Sequence, residues 1–254
     1  RQIAFYRDVL GFRLLWRRDG EAALGAPGRE LLRLVQRAGA RRMRAATGLY
    51  HTAFLVPARR DLAHLVRELI VRRTPVQGTS DHGTHLAIYL ADPEGNGIEL
   101  AWDYPREAWP MRGGRLDFGA MRRGGVDVDD LLTELEGDVS PWEGLTPGTV
   151  VGHVHLHVAD LDESQRFYHG VLGFDVTLRS DGFGALFVSA GGYHHHIGMN
   201  IWRGKGLPPA PEDALGLRYY TVLLPDDGEL RRLAGRLSGA GVAVAERDGG
   251  LWFR

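Results

Sequence analysis

Two histidines stand at matched places in this chain. His51 lies in Tyr50-His51-Thr52-Ala53-Phe54-Leu55-Val56 and His153 in Gly152-His153-Val154-His155-Leu156-His157-Val158, each five residues before the valine that closes its strand. A carboxylate, Glu99, follows the turn Asp92-Pro93-Glu94-Gly95 in Asn96-Gly97-Ile98-Glu99-Leu100. Two imidazoles and one carboxylate are the donor set that grips non-haem iron(II) on one face and leaves its other positions open. Singly, each residue has a plainer reading. A strand histidine is commonly a half-buried polar group, and a glutamate after a turn a solvated edge residue. Taken together at matched positions, they favour a metal centre.

Other histidines surround these. His155 and His157 alternate with His153 on one strand face, so one of them could orient a ligand by hydrogen bonding, with packing or exposure as the other reading. His85 divides in the same way. The run His194-His195-His196 lies between apolar strand residues, and strand alternation would turn His194 and His196 away from the face of His195.

Composition removes other chemistries. The chain has no cysteine, which excludes disulfides, thiolate-bound zinc and cysteine nucleophiles. A net charge of −1 over 254 residues gives no reason to expect a nucleic-acid groove or an anionic membrane surface. No apolar run approaches the roughly 18 residues of a spanning helix, and no charged-then-apolar leader opens the chain, so a cytoplasmic protein is expected. Both ends read as cut within elements, Arg1 in a helix and Arg254 in a strand.

The elements that must hold these side chains repeat. Phe5-Tyr6-Arg7-Asp8-Val9-Leu10-Gly11-Phe12 recurs as Phe167-Tyr168-His169-Gly170-Val171-Leu172-Gly173-Phe174, each a short amphipathic helix stopped by glycine and followed by a strand. Strands are also expected over 50–56 and 217–224, with helices over 60–72 and 228–238. The chain thus divides into four strand–helix–strands units, near 1–40, 48–104, 151–204 and 216–254. The first lacks its opening strand and the last its closing one. The Gly- and Pro-rich stretch 105–149 reads as a linker with one short helix over 128–135.

The repeated F-Y-x-x-V-L-G-F resembles the glyoxalase/bleomycin-resistance/extradiol-dioxygenase superfamily over nearly the whole chain outside the linker. The resemblance implies an α+β fold of four βαβββ modules forming two open barrels, divided as 1–104, linker 105–149 and 150–254. In that fold the metal ligands come from the first and last strands of a module, which implies His51, Glu99 and His153. The stretch from Ser80 through Glu99 resembles the extradiol signature: His82, a short spacer, Ile88-Tyr89, then Asp92-Pro93-Glu94-Gly95 and the ligating Glu99. Ser80 departs from the residue types usual at its position. The resemblance places His82 and Tyr89 beside substrate. It makes His195, three residues before the small Gly198, the acid–base histidine.

The activity implied is that of a catechol 2,3-dioxygenase-like enzyme. It would use Fe(II), or Mn(II), and O2 to open the ring of a small aromatic diol in a chain that could form homo-oligomers. Two alternatives stand beside it. A glyoxalase-type isomerase would need a second carboxylate, where the third module offers histidines. A non-enzymatic resistance protein that binds small molecules would have no use for the triad. In the fourth module the position matching His51 falls at Tyr219 or Tyr220, so a complete triad requires modules two and three to share one barrel, or partner chains to exchange modules. Trp102, Phe183, Trp202 and Tyr219 are candidates to line the pocket.

Overall fold

The computed structural model describes residues 1–117, 119–122 and 124–254. The first F-Y-x-x-V-L segment is the short helix α1 (Gln2–Ala4), continued by a π-helical turn over Phe5–Val9. Three antiparallel strands follow: β1 (Arg13–Arg18), β2 (Glu21–Ala26) and β3 (Arg29–Val35). The second unit opens with β4 (Gly48–Leu55) and crosses through α2 (Arg59–Val71). It returns through β5 (Gly78–Asp81), β6 (His85–Ala91) and β7 (Gly97–Asp103). Helix α2 forms because Leu62, Leu65, Val66 and Leu69 recur at helical spacing and are all buried, while the Asp61 carboxylate accepts the Ala58 N–H at its start.

Residues 105–149 contain a small hairpin, β8 (Met111–Arg112) with β9 (Arg115–Leu116), and helix α3 (Val128–Leu132) extended by a 3-10 turn over Thr133–Leu135. Val126, Leu131, Leu135 and Leu145 from this stretch pack in one core with Tyr6, Leu10 and Phe12 and with the buried face of α2. The third unit repeats the second: β10 (Val150–His157), α4 (Leu161–Gln165) with a π-helical turn over Arg166–Val171, then β11 (Asp175–Ser180), β12 (Ala185–Ser189) and β13 (Ile197–Asn200). A second core gathers Val154, Leu156, Leu186, Val188, Ile197 and Met199. The chain continues through α5 (Asp227–Gly239) and the hairpin of β14 (Ala245–Arg247) and β15 (Gly250–Trp252).

The fold is mixed α+β, dominated by a curled sheet of eight strands in the order β11-β12-β13-β10-β4-β7-β6-β5. In each inner unit the first strand runs parallel to the last, β4 with β7 and β10 with β13, and the remaining neighbours are antiparallel. The two units join where β4 and β10 pair antiparallel, so modules two and three form one continuous half-barrel. Among the described residues, no helix is long and apolar enough to cross a membrane.

One expected strand is absent. Residues 217–224 belong to no ladder, and Leu223 is 81% exposed. The first strand of a module is held by pairing with the first strand of another, as β4 holds β10. The first unit supplies no such strand within residues 1–254, so 217–224 has an apolar strand composition without the hydrogen-bond partner that would order it.

The β4–β7 ladder sets Gly97 beside His51, where a Cβ would stand 2.0 Å from the Tyr50 carbonyl oxygen and 3.1 Å from the His51 Cβ. Only a residue without a side chain lets the two strands close. Gly97→Ala is therefore expected to lower unfolding stability by about 1–3 kcal/mol, as overpacked core positions do, measured by denaturant unfolding of the metal-free protein.

Candidate metal centre

The sheet register lines up one row of residues across four strands. Tyr89 on β6 pairs with Glu99 on β7, Glu99 with Ala53 on β4, and Ala53 with His153 on β10. Residues in register share a sheet face, so Glu99 and His153 flank the fully buried methyl of Ala53. His51 lies two residues earlier on β4, on that same face. Local alternation fixes the face of each side chain, and the β4–β10 pairing brings the two faces together.

The result is a convergence of three buried atoms. His51 Nε2 lies 3.0 Å from Glu99 Oε2, His153 Nε2 lies 3.4 Å from the same oxygen, and the two Nε2 atoms are 3.3 Å apart. Ligand atoms on one metal with bonds of about 2.1 Å lie about 3.0 Å apart at right angles and about 3.4 Å apart at tetrahedral angles. The three separations span that range. Hydrogen bonding alone serves the arrangement poorly, because two N–H groups aimed at one oxygen would face each other. A shared cation would accept all three lone pairs.

Electrostatics agrees. Glu99 is 1% exposed. Burial by itself would raise its pKa, but the His153 and His51 imidazoles outweigh that and hold the carboxylate well below its usual range. Burial pushes the His153 imidazole down, partly opposed by Glu99, which keeps its lone pair free for a metal near neutral pH. Among the described residues no lysine or arginine pairs with Glu99; its charged-type contacts are all histidines. His51 Nδ1 and Glu99 Oε1 are buried without a hydrogen bond. His85 Nε2 stands 3.0 Å from that Oε1, close but outside hydrogen-bond geometry, and the Thr84 hydroxyl lies 2.8 Å from His85 Nδ1.

The other expected site residues lie around this centre. His82 Nε2 is 2.8 Å from the Tyr89 hydroxyl. Burial, then the neighbouring His85, lowers the His82 pKa to about 4, while burial and Glu99 raise that of Tyr89 well above 10, so the imidazole is neutral and the phenol protonated. The His195 ring lies 4.1 Å from that of His153 and stacks on Phe187 at 4.5 Å and 19°. Gly198 makes room for the neighbouring His155 ring. Paired with His155, it would put any Cβ within 2.9 Å of that ring. His155 and His157 are both buried and share the Asn200 amide, at 3.0 Å from His155 Nε2 and 2.7 Å from His157 Nδ1.

Three readings change. His194 does not turn away from His195. Residues 191–196 form a turn and bend before β13, so strand alternation does not govern them, and His194 is fully buried with its Nδ1 2.8 Å from His195 Nδ1. Trp102, three residues from Glu99 and hence on the opposite face of β7, packs against the first core, and Tyr219 lies against Trp252. Trp202 lies 5.5 Å from the His155 ring, and Phe183 packs against Trp202 at 5.1 Å. Asp103 was not anticipated. It accepts from His194 Nε2 at 3.2 Å and pairs across the ladder with His85. The signal was present: Asp103 is four residues beyond Glu99 and His85 four before Tyr89, so period-two alternation puts all four on one face. A cavity of about 560 Å³, lined in part by Gln165, His169 and Arg179, contains none of these residues.

Comparison with known proteins follows this geometry. The family model described as "Glyoxalase/Bleomycin resistance protein/Dioxygenase superfamily" matches residues 1–100 and 150–249. The chain is 44% identical over 251 residues, 98% of its length and 86% of the relative's, to the catechol-2,3-dioxygenase of Bacillus subtilis (strain 168). Its fold resembles the crystal structure of a proposed dioxygenase from Bacillus subtilis, with a TM-score of 0.61 at 17% identity over 99% of this chain and 76% of that one. Glyoxalase I of Zea mays follows at a TM-score of 0.52 and 14% identity, covering 97% of this chain and 78% of that one.

Two expectations follow from the geometry. His85→Ala should weaken metal binding by about 10- to 100-fold, as loss of a ligand's supporting partner does, with the stoichiometry kept at one in a competition titration. Because burial lowers the His153 pKa, protons should compete for that imidazole, and so weaken metal binding, at lower pH than they would for an ordinary histidine. Chelator competition across a pH series measures it.

Proposed function

This chain belongs to the glyoxalase/bleomycin resistance protein/dioxygenase superfamily, and from that premise we propose that it is an extradiol dioxygenase. In this reading it holds one iron(II) on His51, Glu99 and His153 and opens the ring of a small catechol-type diol with dioxygen. The observation that supports it most is the buried, ionised Glu99 carboxylate facing two imidazole nitrogens with, among the described residues, no lysine or arginine paired with it. The likeness to a catechol-2,3-dioxygenase supports the choice of reaction. Manganese(II) suits the same oxygen and nitrogen donors, since geometry and availability select between such metals.

When bound, the metal supplies Lewis acidity that eases deprotonation of a phenol and a template that holds diol and dioxygen together. The chain supplies the rest. His195, its ring plane fixed by Phe187, takes a proton from the substrate hydroxyl and returns it when the ring opens. Tyr89, protonated, and His82, neutral, present a paired donor and acceptor to the substrate's oxygens. The rings of Tyr50 and Trp202, 5.3 Å apart beside His155, offer apolar surface to a flat substrate.

The test is metal content of protein prepared anaerobically, followed by oxygen uptake and a yellow ring-opened product on addition of catechol. Stoichiometric iron or manganese with turnover is expected. Loss of metal is expected in His153→Ala and Glu99→Ala. In His195→Ala the metal should stay while kcat falls by about 10²- to 10⁴-fold, the usual worth of a positioned acid–base group. Bound zinc or nickel without oxygen uptake would replace this reading with an isomerase.

A further inference from the structure

Behind His195 runs a line of two side chains, His194 and Asp103, that the reaction outlined above leaves unused. His195 Nδ1 lies 2.8 Å from His194 Nδ1, and His194 Nε2 lies 3.2 Å from Asp103 Oδ1. The exposure of the side chains rises along the line, from a fully buried His194 to an Asp103 that is 19% exposed. His194 is held from the sides as well, stacked on His85 at 4.8 Å and 15° and edged by Trp109 at 5.1 Å.

A neutral imidazole carries one N–H and one lone pair, and its partners decide which nitrogen has which. Asp103 as a carboxylate accepts only, so His194 must place its hydrogen on Nε2. Its Nδ1 is then a lone pair, and a contact of 2.8 Å with His195 Nδ1 is a hydrogen bond only if His195 carries its hydrogen there. That leaves the lone pair of His195 on Nε2. We propose that Asp103 and His194 are positioning residues that fix His195 as the Nδ1–H tautomer, so that its Nε2 is the atom free to take a proton. The charge states fit the scheme. Burial lowers the His194 pKa to about 3; burial also acts to raise that of Asp103, but His194, His85 and Tyr193 together outweigh it and keep the carboxyl below its usual value.

The part of the proposal that concerns the tautomer stands on contacts alone; its effect on rate rests on the dioxygenase reading. The experiment therefore has two arms. Nitrogen-15 spectra of histidine-labelled, metal-free protein should show His194 protonated at Nε2 and His195 at Nδ1. Asp103→Leu should abolish that fixed assignment at His195. In the loaded enzyme, Asp103→Leu and His194→Phe should lower kcat about 10- to 100-fold, with metal stoichiometry and KM nearly unchanged and the deficit uniform in pH. Wild-type protein with His195 protonated at Nε2 would overturn the proposal without any variant. A kcat unchanged in folded Asp103→Leu, or lost only in step with metal, would overturn it too. Absence of ring cleavage in the wild type, with the tautomers as stated, would fault the reaction assigned and leave the positioning intact.

Discussion

The antiparallel ladder between β4 and β10 joins strands about a hundred residues apart and sets the distance between His51 and His153. Neither strand can form the centre alone. β4 carries one imidazole and lies beside the carboxylate of β7, while β10 carries the other imidazole and lies beside β13, which leads in from the His195 loop. The site stands on the seam between two modules, and ladder hydrogen bonds running across the seam hold its two halves in register. A slip of one residue along this ladder would turn His153 to the opposite face and exchange it for an apolar neighbour.

That seam also explains how polar groups come to be buried so densely. His51, His85, Glu99, His153, His155, His194 and His195 are all less than a tenth exposed. Such groups are tolerated in an apolar environment only when they satisfy one another or an ion. Most here do so in pairs: His82 with Tyr89, His194 with Asp103, His157 with Asn200. At the centre, Glu99 and two imidazole nitrogens converge without a scheme of protons that serves all three. Three buried donors meeting in this way have the form of a binding site for a cation.

Close packing around the cluster turns chemistry into geometry. Glycine at 97 and 198 lets the strands and the His155 ring approach, and alanine at 53 leaves the space between Glu99 and His153 clear. On the other face of the sheet, the two apolar cores hold these strands against α2 and α4. The concave face is thereby freed for polar side chains, a division that period-two alternation permits and helices on one side enforce.

The sequence by itself determined the units of the fold and singled out most of the side chains that the structure gathers at the candidate site. The repeated Phe-Tyr-x-x-Val-Leu segments marked the modules, and the equal distances from His51 and His153 to their closing valines marked them as equivalent positions. Alternation also held enough to place Asp103 and His85 on the face of Glu99 and Tyr89. Tertiary structure decided the rest. The pairing of β4 with β10 is a contact between distant segments, and no local period states which strand a given strand will choose. The same limit left 217–224 with a strand's composition and no ladder. It also misled the reading of His194, because alternation describes a side chain's direction only while the backbone is extended, and the chain there is turning.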